Sequence, residues 1–307
     1  MKWVVHYAEL GLKGRNRPRF ERTLCENLVR ALAPLGRSSA RRMFGRILVE
    51  APEGANPDDV SMRLGRVFGV AYFSVATTLA PTREAITAEV DAFVSARSFA
   101  SFGVRVRRVD KALPFRSNEL AGELGARIQA RTGARVDLVN PELWIDLHLL
   151  PGGEAILLHE RRSGPGGLPV RSSGRVLALV SGGIDSPVAA YRMIRRGCSV
   201  LLIHFHSYPI LSRASQEKVR ELAAILTRYQ RKSRLLLVPF GELQQQVLLA
   251  VRPELRVVIY RRLMFRIAEQ LATAWRAKAL VTGEVIGQVA SQTLENLTVI
   301  GAATTLQ

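Results

Sequence analysis

Short apolar runs alternate with helix-like repeats over the first 60 residues. Trp3–Tyr7 and Arg46–Glu50 are rich in branched and aromatic side chains, so each predicts a β-strand. Between them, apolar side chains recur at every fourth position, which predicts a helix with one buried face over residues 20–32. Pro57 marks the start of a second helix, and the two aspartates after it suit the positive end of a helix. These elements predict a first α+β domain over residues 1–60.

The same mixture of strands and helices continues over residues 61–165, which we assign to a second α+β domain. Apolar runs predict four strands there: Val70–Val75, Phe102–Val106, Leu143–Leu149 and Ala155–His159. Helical spacing predicts helices over Arg83–Ser95 and Asn118–Arg131. Pro151-Gly152-Gly153 joins the last two strands and is typical of a hairpin.

A stretch rich in glycine and proline, Ser163–Pro169, ends this pattern, so we place a linker at residues 166–174 and a third domain at 175–307. The strands of the third domain are continuous apolar runs: Val176–Val180, Val200–Phe205, Leu235–Val238 and Ala279–Val281. Such runs, separated by helices, are typical of an α/β fold with a doubly wound parallel sheet. Ligands of these sheets bind beyond the carboxyl ends of the strands, where we therefore expect the functional residues.

Composition and charge narrow the class of protein. The 307 residues carry a formal charge of +18, which favours a polyanionic partner such as nucleic acid, although a bias towards arginine codons contributes to the basic excess. No apolar run is long enough to span a membrane, and the N-terminus does not resemble a secretory signal. Only Cys25 and Cys198 are present, which excludes a disulfide scaffold and makes the cytoplasm the expected location.

One glycine-rich turn carries the strongest chemical signal. The strand that ends at Val180 runs into Ser181-Gly182-Gly183-Ile184-Asp185-Ser186, and Pro187 opens a helix. Glycines let the backbone approach a ligand, and the amides of the turn and of the helix N-terminus then form an anion site. A carboxylate beside phosphates favours a bound cation, so Mg²⁺ is expected. The chain contains no Gly-Lys pair, which excludes a Walker A loop; an ordinary tight turn is the alternative.

This turn resembles the pyrophosphate loop (PP-loop) of ATP-pyrophosphatases, which split ATP into AMP and pyrophosphate. Other segments narrow the resemblance to the ThiI-type tRNA sulfurtransferase family. They are Tyr7–Arg17, Gly164–Pro169, His204–Pro209, Arg261–Met264 and Thr282–Leu297, with Phe102–Gly125 and Val136–Glu142 similar to the THUMP domain of that family. The resemblance runs from Met1 to about Leu297.

The resemblance implies both a fold and a reaction. Members of the family convert uridine 8 of tRNA to 4-thiouridine, and many also serve thiamine thiazole synthesis. A ferredoxin-like domain and a THUMP domain bind tRNA, and a PP-loop domain binds ATP with Mg²⁺. Transfer of AMP to the C4 oxygen of uracil makes a leaving group, which a persulfide sulfur then displaces. Preorganised amides, a cation and basic side chains stabilise the charge that develops on the phosphates.

The resemblance also assigns the residues of the nucleotide site. Asp185 would assist activation, and the residues that would cradle pyrophosphate are Ser181, Gly182, Gly183 and Ser186. The other implied ATP-site residues are Leu179, Val180, His204, Phe205, Arg261, Gly283 and Gln292. His204 and Phe205 also fit a packed core and Arg261 a solvated helix face, so these alternatives stay open.

Two basic runs in the tRNA-binding half suit contacts with phosphates. The first comprises Lys13, Arg15, Arg17 and Arg19. The second comprises Arg105, Arg107, Arg108 and Lys111. Either run also fits an ordinary solvated face, and tRNA is the expected partner. Shape-based recognition of RNA would suit such modules, because an RNA helix hides its major groove.

The sequence departs from the family pattern at its C-terminal end. Family members continue beyond the position of Leu297 with a strand, helices and a cysteine used in sulfur transfer, so the PP-loop domain is expected to be incomplete. Neither Cys25 nor Cys198 matches a sulfur-carrying position. Three explanations for this departure from the family pattern stay open: truncation, a degenerate homologue, or an external persulfide donor such as a cysteine desulfurase. Family members often form dimers, so a homodimer is a further expectation.

The sequence leaves three functional hypotheses open. The leading hypothesis is an ATP-dependent tRNA sulfurtransferase that makes 4-thiouridine. The first alternative is a tRNA-binding module whose nucleotide domain is incomplete and catalytically silent. The second is a different ATP-pyrophosphatase, such as an amidating enzyme, which the tRNA-binding modules and the residues Gln288–Leu297 disfavour.

Overall fold

The computed structural model describes residues 1–43, 45–108, 116–150, 153–288 and 292–306. Within these ranges the strands are β1 (Lys2–His6), β2 (Ser39–Met43), β3 (Arg46–Glu50), β4 (Tyr72–Leu79), β5 (Ser101–Arg108), β6 (Arg135–Val136), β7 (Leu143–Leu150), β8 (Glu154–Ser163), β9 (Arg175–Leu179), β10 (Ser199–His206), β11 (Leu235–Pro239) and β12 (Leu280–Val281). The α-helices are α1 (Arg17–Leu32), α2 (Pro57–Leu64), α3 (Arg83–Ser95), α4 (Ser117–Thr132), α5 (Asp185–Arg195), α6 (Ala214–Gln230), α7 (Gly241–Ala250), α8 (Pro253–Ala274) and α9 (Leu294–Gly301). Two 3₁₀ segments, Glu9–Asn16 and Ala33–Leu35, flank α1. None of the described helices is long and apolar enough to cross a membrane.

Packing divides the chain into two compact units. The first unit contains residues 1–8, 32–65 and 70–164, and the second contains residues 9–31, 66–69 and 165–307. Most of α1 therefore packs with the C-terminal residues. Asn27 donates its side-chain amide to the carbonyl of Val170 at 3.1 Å, and Glu26 pairs with Arg171 at 3.3 Å.

An eight-stranded sheet forms the first unit, in the order β2-β3-β1-β4-β8-β7-β5-β6. Its pairs are antiparallel except for β5, which runs parallel to β6 and β7. Alternation along the strands places one set of apolar side chains against α3 and α4. This core includes Ile86, Leu124, Phe102, Ile145 and Leu157, all 0–2% exposed.

The sheet of the first unit is strongly curved. Arg41 on β2 reaches Glu154 on β8 at 3.2 Å, although the two strands are four places apart in the sheet. Four strand spacings in a flat sheet would separate them by about 19 Å. The concave face therefore buries its own apolar side chains, and Val4, Leu48 and Ile156 are fully buried there.

The second unit is built on a parallel sheet of order β11-β10-β9-β12. Side chains from α5 and α6 cover one face, with Ile194 and Val219 fully buried, and α8 covers the other, with Ala268 and Ala272 fully buried. The predicted doubly wound parallel sheet after an α+β region is confirmed.

Residues of the segment predicted as a linker pack within the second unit. Leu168 and Val170 are 4% and 6% exposed, within the second unit. Gly167 has a φ of +75°, and a Cβ there would lie 2.3 Å from the carbonyl oxygen of Arg195. Glycine is required at this position because the backbone approaches a helix end closely.

Several element bounds differ from those predicted. The strand expected at Val70–Val75 is β4, Tyr72–Leu79, and Val70 and Ala71 lie in the bend that precedes it. The glycine-punctuated residues 11–17 lie mainly in a 3₁₀ segment with a kink at Gly14, where φ is 49°. Strand β2 was not predicted, because this edge strand is polar and largely exposed. The hairpin residues Pro151 and Gly152 lie outside the described residues.

Candidate nucleotide site

The loop between β9 and α5 is held by its own serines. The Ser186 hydroxyl accepts a hydrogen bond from the amide of Ser181 at 2.9 Å, and the two hydroxyls lie 3.1 Å apart. The amide of Gly183 donates to Ser181 Oγ at 3.4 Å. Because the first-turn N–H groups of α5 have no intrahelical acceptor, this fixed loop presents an anion site at the carboxyl end of β9.

Gly283 packs directly under this loop. A Cβ at Gly283 would lie 2.4 Å from the amide nitrogen of Ser186 and 2.7 Å from the carbonyl carbon of Asp185. Real Cβ atoms essentially never approach that closely, so no side chain fits here without moving α5. Gly283, the second residue after β12, therefore sets the position of the loop.

A cavity of about 370 Å³ opens beside the loop. The predicted site residues that line it are Leu179, Val180, Ser181, Gly183, Asp185, Ser186, His204, Phe205, Arg261, Gly283 and Gln292. Gly182 is the predicted residue absent from this lining. The structure therefore brings the ends of β9, β10 and β12 and one face of α8 to a single site, as the rule for parallel sheets requires.

His204 is buried at the wall of this cavity. Its Nδ1 lies 2.9 Å from the carbonyl oxygen of Val180, which can only accept, so Nδ1 carries the proton. Its Nε2 then accepts from Ser215 Oγ at 3.4 Å. Burial lowers the pKa of His204, with the Val180 hydrogen bond opposing that shift. His204 is thus both a satisfied core histidine and a neutral wall of the site.

The positive charge of Arg261 is compensated by the carboxylate of Glu284, which the sequence did not indicate as a site residue. Arg261 Nη1 lies 3.2 Å from Glu284 Oε1, and the Glu284 side chain is 10% exposed. The hydroxyl of Thr282 approaches the other oxygen of Glu284 at 3.5 Å. Glu284 lies three residues beyond the end of β12, and that position near a strand end was the signal that could have found it.

Two glutamines face the cavity, and they differ in their hydrogen bonding. Gln288 donates its side-chain amide to Asp185 Oδ2 at 3.0 Å and so orients that carboxylate. Gln292 is 8% exposed, and its Oε1 has no hydrogen-bond partner within the described part of the chain. An amide oxygen left unpaired in a polar cavity suits a ligand that donates a hydrogen bond.

Five lining residues were not predicted. They are Ile203, Met264, Thr282, Glu284 and Gln288. Met264 lies one helical turn after Arg261, so a helical projection of α8 would have placed both on one face. Among the described residues, no group of three or more His, Cys, Asp or Glu side chains is arranged to hold a metal ion.

The first basic run spans the 3₁₀ segment before α1 and the first turn of α1, in the second unit. Arg15 and Arg19 are exposed, whereas Arg17 pairs with Glu21 at 2.8 Å. The ammonium group of Lys13 lies 5.3 Å from the centre of the Phe20 ring. Three of these four cations therefore remain open to an external anion, Lys13 only in part.

Three arginines of the second basic run lie within the C-terminal half of β5, in the first unit. Arg105 stacks on Trp144 with its guanidinium carbon 4.0 Å from the ring centre, and lies 3.9 Å from Asp146. Arg107 is exposed on the same face of the strand, and Arg108 points to the other face. Lys111 lies outside the described residues.

The two cysteines differ in their surroundings. Cys198 is buried, and burial raises the pKa of its thiol, so the reactive thiolate is disfavoured. Cys25 was expected in the core, but it is only half-buried, because its position on α1 lies at the edge of the apolar face.

The fold and the cavity define the class of protein: a doubly wound nucleotide-binding domain with a PP-loop, in a chain that also contains an α+β unit. Family models of the ThiI ferredoxin-like domain, the THUMP domain and the "Thiamine biosynthesis protein (ThiI)" match residues 2–74, 81–156 and 171–307. A probable tRNA sulfurtransferase of Thermus thermophilus is 46% identical over 303 residues, which are 99% of this chain and 74% of that protein. A second, of Moorella thermoacetica, is 41% identical over 298 residues, covering 97% and 76%.

A solved structure agrees with these matches. The crystal structure of a 4-thiouridine synthetase–RNA complex with bound ATP superposes with a TM-score of 0.87 at 35% identity, over 99% of this chain and 79% of that one. The chain belongs to the ThiI family of tRNA sulfurtransferases, and the resemblance seen in its sequence is confirmed.

Proposed function

We propose that this chain adenylates uridine 8 of tRNA and that its C4 oxygen is then replaced by sulfur to give 4-thiouridine. The observation that carries the proposal is the cavity itself. Residues from four separate segments meet at the carboxyl edge of the parallel sheet, beside a loop that presents helix N–H groups. The relatives named tRNA sulfurtransferase and the ATP-bound, RNA-bound synthetase support the same assignment.

The chemistry follows from the arrangement of the loop. Attack by uracil O4 on the α-phosphorus of ATP breaks the bond to the β-phosphate, and pyrophosphate leaves with the electron pair. The N–H groups at the start of α5 and the hydroxyls of Ser181 and Ser186 would bind the phosphates as charge develops on them. Gln292 Oε1 would accept a hydrogen bond from the nucleotide.

Asp185 fits a role beside a phosphate-bound cation. The oxygen donors around it match the preference of Mg²⁺, which proteins usually hold through one or two carboxylates and the substrate phosphates. Bound there, Mg²⁺ would neutralise phosphate charge. Gln288 keeps one oxygen of Asp185 in place, so the carboxylate is oriented before a ligand arrives.

Sulfur would come from outside the described residues. Cys198 is buried with a raised thiol pKa, so we assign sulfur delivery to an external persulfide donor such as a cysteine desulfurase. The exposed cations of the two basic runs are the proposed contacts to tRNA phosphates.

Further parts of the proposal rest on the sequence. We place the domain bounds at 1–60, 61–165 and 175–307, with the linker at 166–174. We also propose that two chains pair, that the protein contributes to thiamine thiazole synthesis and that it is located in the cytoplasm.

Pyrophosphate release from ATP and Mg²⁺, measured with and without unmodified tRNA, tests the proposed function. We expect release that depends on tRNA and that Asp185→Asn abolishes while tRNA affinity stays nearly unchanged. Asp59→Asn, an exposed aspartate on α2, is the matched control. If tRNA binds and no pyrophosphate forms, the chain is a tRNA-binding module with a silent nucleotide domain. Equal loss of both in Asp185→Asn would contradict separate roles.

A further inference from the structure

One lysine from outside the cavity lining lies across the PP-loop. Lys218 is in the second turn of α6, and its side chain passes over Gly182. A Cβ built on Gly182 would lie 3.1 Å from Lys218 Cδ, 3.7 Å from Cε and 3.8 Å from Cγ. The methylene chain therefore runs along the backbone of the loop, and the ammonium group lies one bond beyond Cε.

The charge of Lys218 is not compensated within the described part of the chain. The residue is exposed, and among the described residues neither Glu217 nor Glu221 on the same helix forms an ion pair with it. Arg261, which lines the cavity, is already paired with Glu284 at 3.2 Å. Among the described residues, Lys218 is therefore a cation beside the loop whose full charge remains available to a ligand.

We propose that Lys218 is a phosphate ligand of this site and binds the β- and γ-phosphates of ATP. The inference rests on the proposed function. When uracil O4 bonds to the α-phosphorus, the bond from that phosphorus to the bridging oxygen breaks and its electron pair stays on pyrophosphate. Backbone amides supply only partial charges, so a mobile ammonium group beside the loop stabilises the departing anion.

The position of Lys218 also explains why residue 182 is a glycine. Gly182 does not have a positive φ, so its backbone does not require glycine. It instead leaves room for the Lys218 chain, which any Cβ would press at 3.1 Å. Gly182→Ala is therefore expected to shift the Lys218 chain by a few tenths of an ångström and to weaken its contact with the phosphates.

Nucleotide affinity provides the test, because AMP lacks the two phosphates in question. We expect Lys218→Gln to weaken ATP binding about 10- to 100-fold and AMP binding less than about twofold, measured by calorimetry. Lys218→Arg should recover part of the loss. Lys232→Gln is the matched control: it removes the same charge just after α6, about 20 Å along the helix axis, and should leave both affinities unchanged.

The loop variant gives a second, independent measurement. Gly182→Ala should weaken ATP binding selectively, and the double variant with Lys218→Gln should lose less than the two single losses combined. Equal losses for ATP and AMP in Lys218→Gln, or an ATP affinity equal to that of Lys232→Gln, would overturn the assignment of Lys218. If the unaltered chain binds no ATP, the proposed function fails together with the assignment of Lys218. That outcome differs from the two above, in which the unaltered chain does bind ATP.

Discussion

Replacing Gly283 by alanine is expected to disable the nucleotide site without touching a charged or polar side chain. The new methyl group would lie 2.4 Å from Ser186 N and 2.5 Å from Ser186 Cα. Ordinary contact needs about 3.4 Å, so the start of α5 must move by about 1 Å. The neighbours are backbone atoms, which cannot turn aside as the end of a flexible side chain can.

Two magnitudes follow from that displacement. Overpacking of this kind costs about 1–3 kcal/mol of unfolding free energy. A shift of about 1 Å in the groups that position a reacting phosphate costs on the order of 100-fold in rate. The loss of activity should therefore exceed what the change in folded population explains, because the protein remains largely folded after a loss of 1–3 kcal/mol.

Denaturant unfolding and pyrophosphate release from the same preparation separate the two effects. Gly301→Ala is the control, since a Cβ at Gly301 meets nothing within 4 Å and lies in the same unit. We expect Gly301→Ala to keep both activity and stability. Pyrophosphate release within about twofold of the unaltered chain in Gly283→Ala would refute the reasoning, because the methyl group would then have found space that the structure does not contain.

Two further predictions concern the first unit. Burial lowers the pKa of His6 to about 3. Between pH 6.5 and pH 3 the unfolded chain binds a proton that the folded chain excludes, so the free energy of unfolding should fall as the pH is lowered, by at most about 5 kcal/mol at pH 3. Equilibrium unfolding of His6→Gln should show a flatter pH dependence. An unchanged slope in that variant would contradict this prediction. Gly122→Ala on α4, where a Cβ meets nothing within 4 Å, should raise the unfolding free energy by about 0.5–1 kcal/mol in denaturant titration, and a loss would contradict the open space seen there.

Strands with a strong hydrophobic pattern could be predicted, and those without one could not. The continuous apolar runs of β9 and β10 indicated a buried parallel sheet, because only strands covered on both faces have that composition. Strand β2, with the sequence Ser-Ala-Arg-Arg-Met, has no such pattern, because it pairs at an edge where its arginines remain in solvent. The packing of α1 with the second unit was also beyond prediction, since an apolar helix face does not specify its partner.

The register of the parallel sheet explains which site residues the sequence could indicate. Val281 pairs with Ala178, and Ile203 pairs with Leu179, so Gly283 and His204 both fall in register with Val180. Residues that follow adjacent strands therefore form one row at the carboxyl edge, and strand ends alone predict that row. Lys218 belongs to no strand end: it reaches the loop from the second turn of α6, and only the path of its side chain over Gly182 shows it. Motif-based prediction accordingly finds the groups that shape this site but misses a cation supplied by a neighbouring helix.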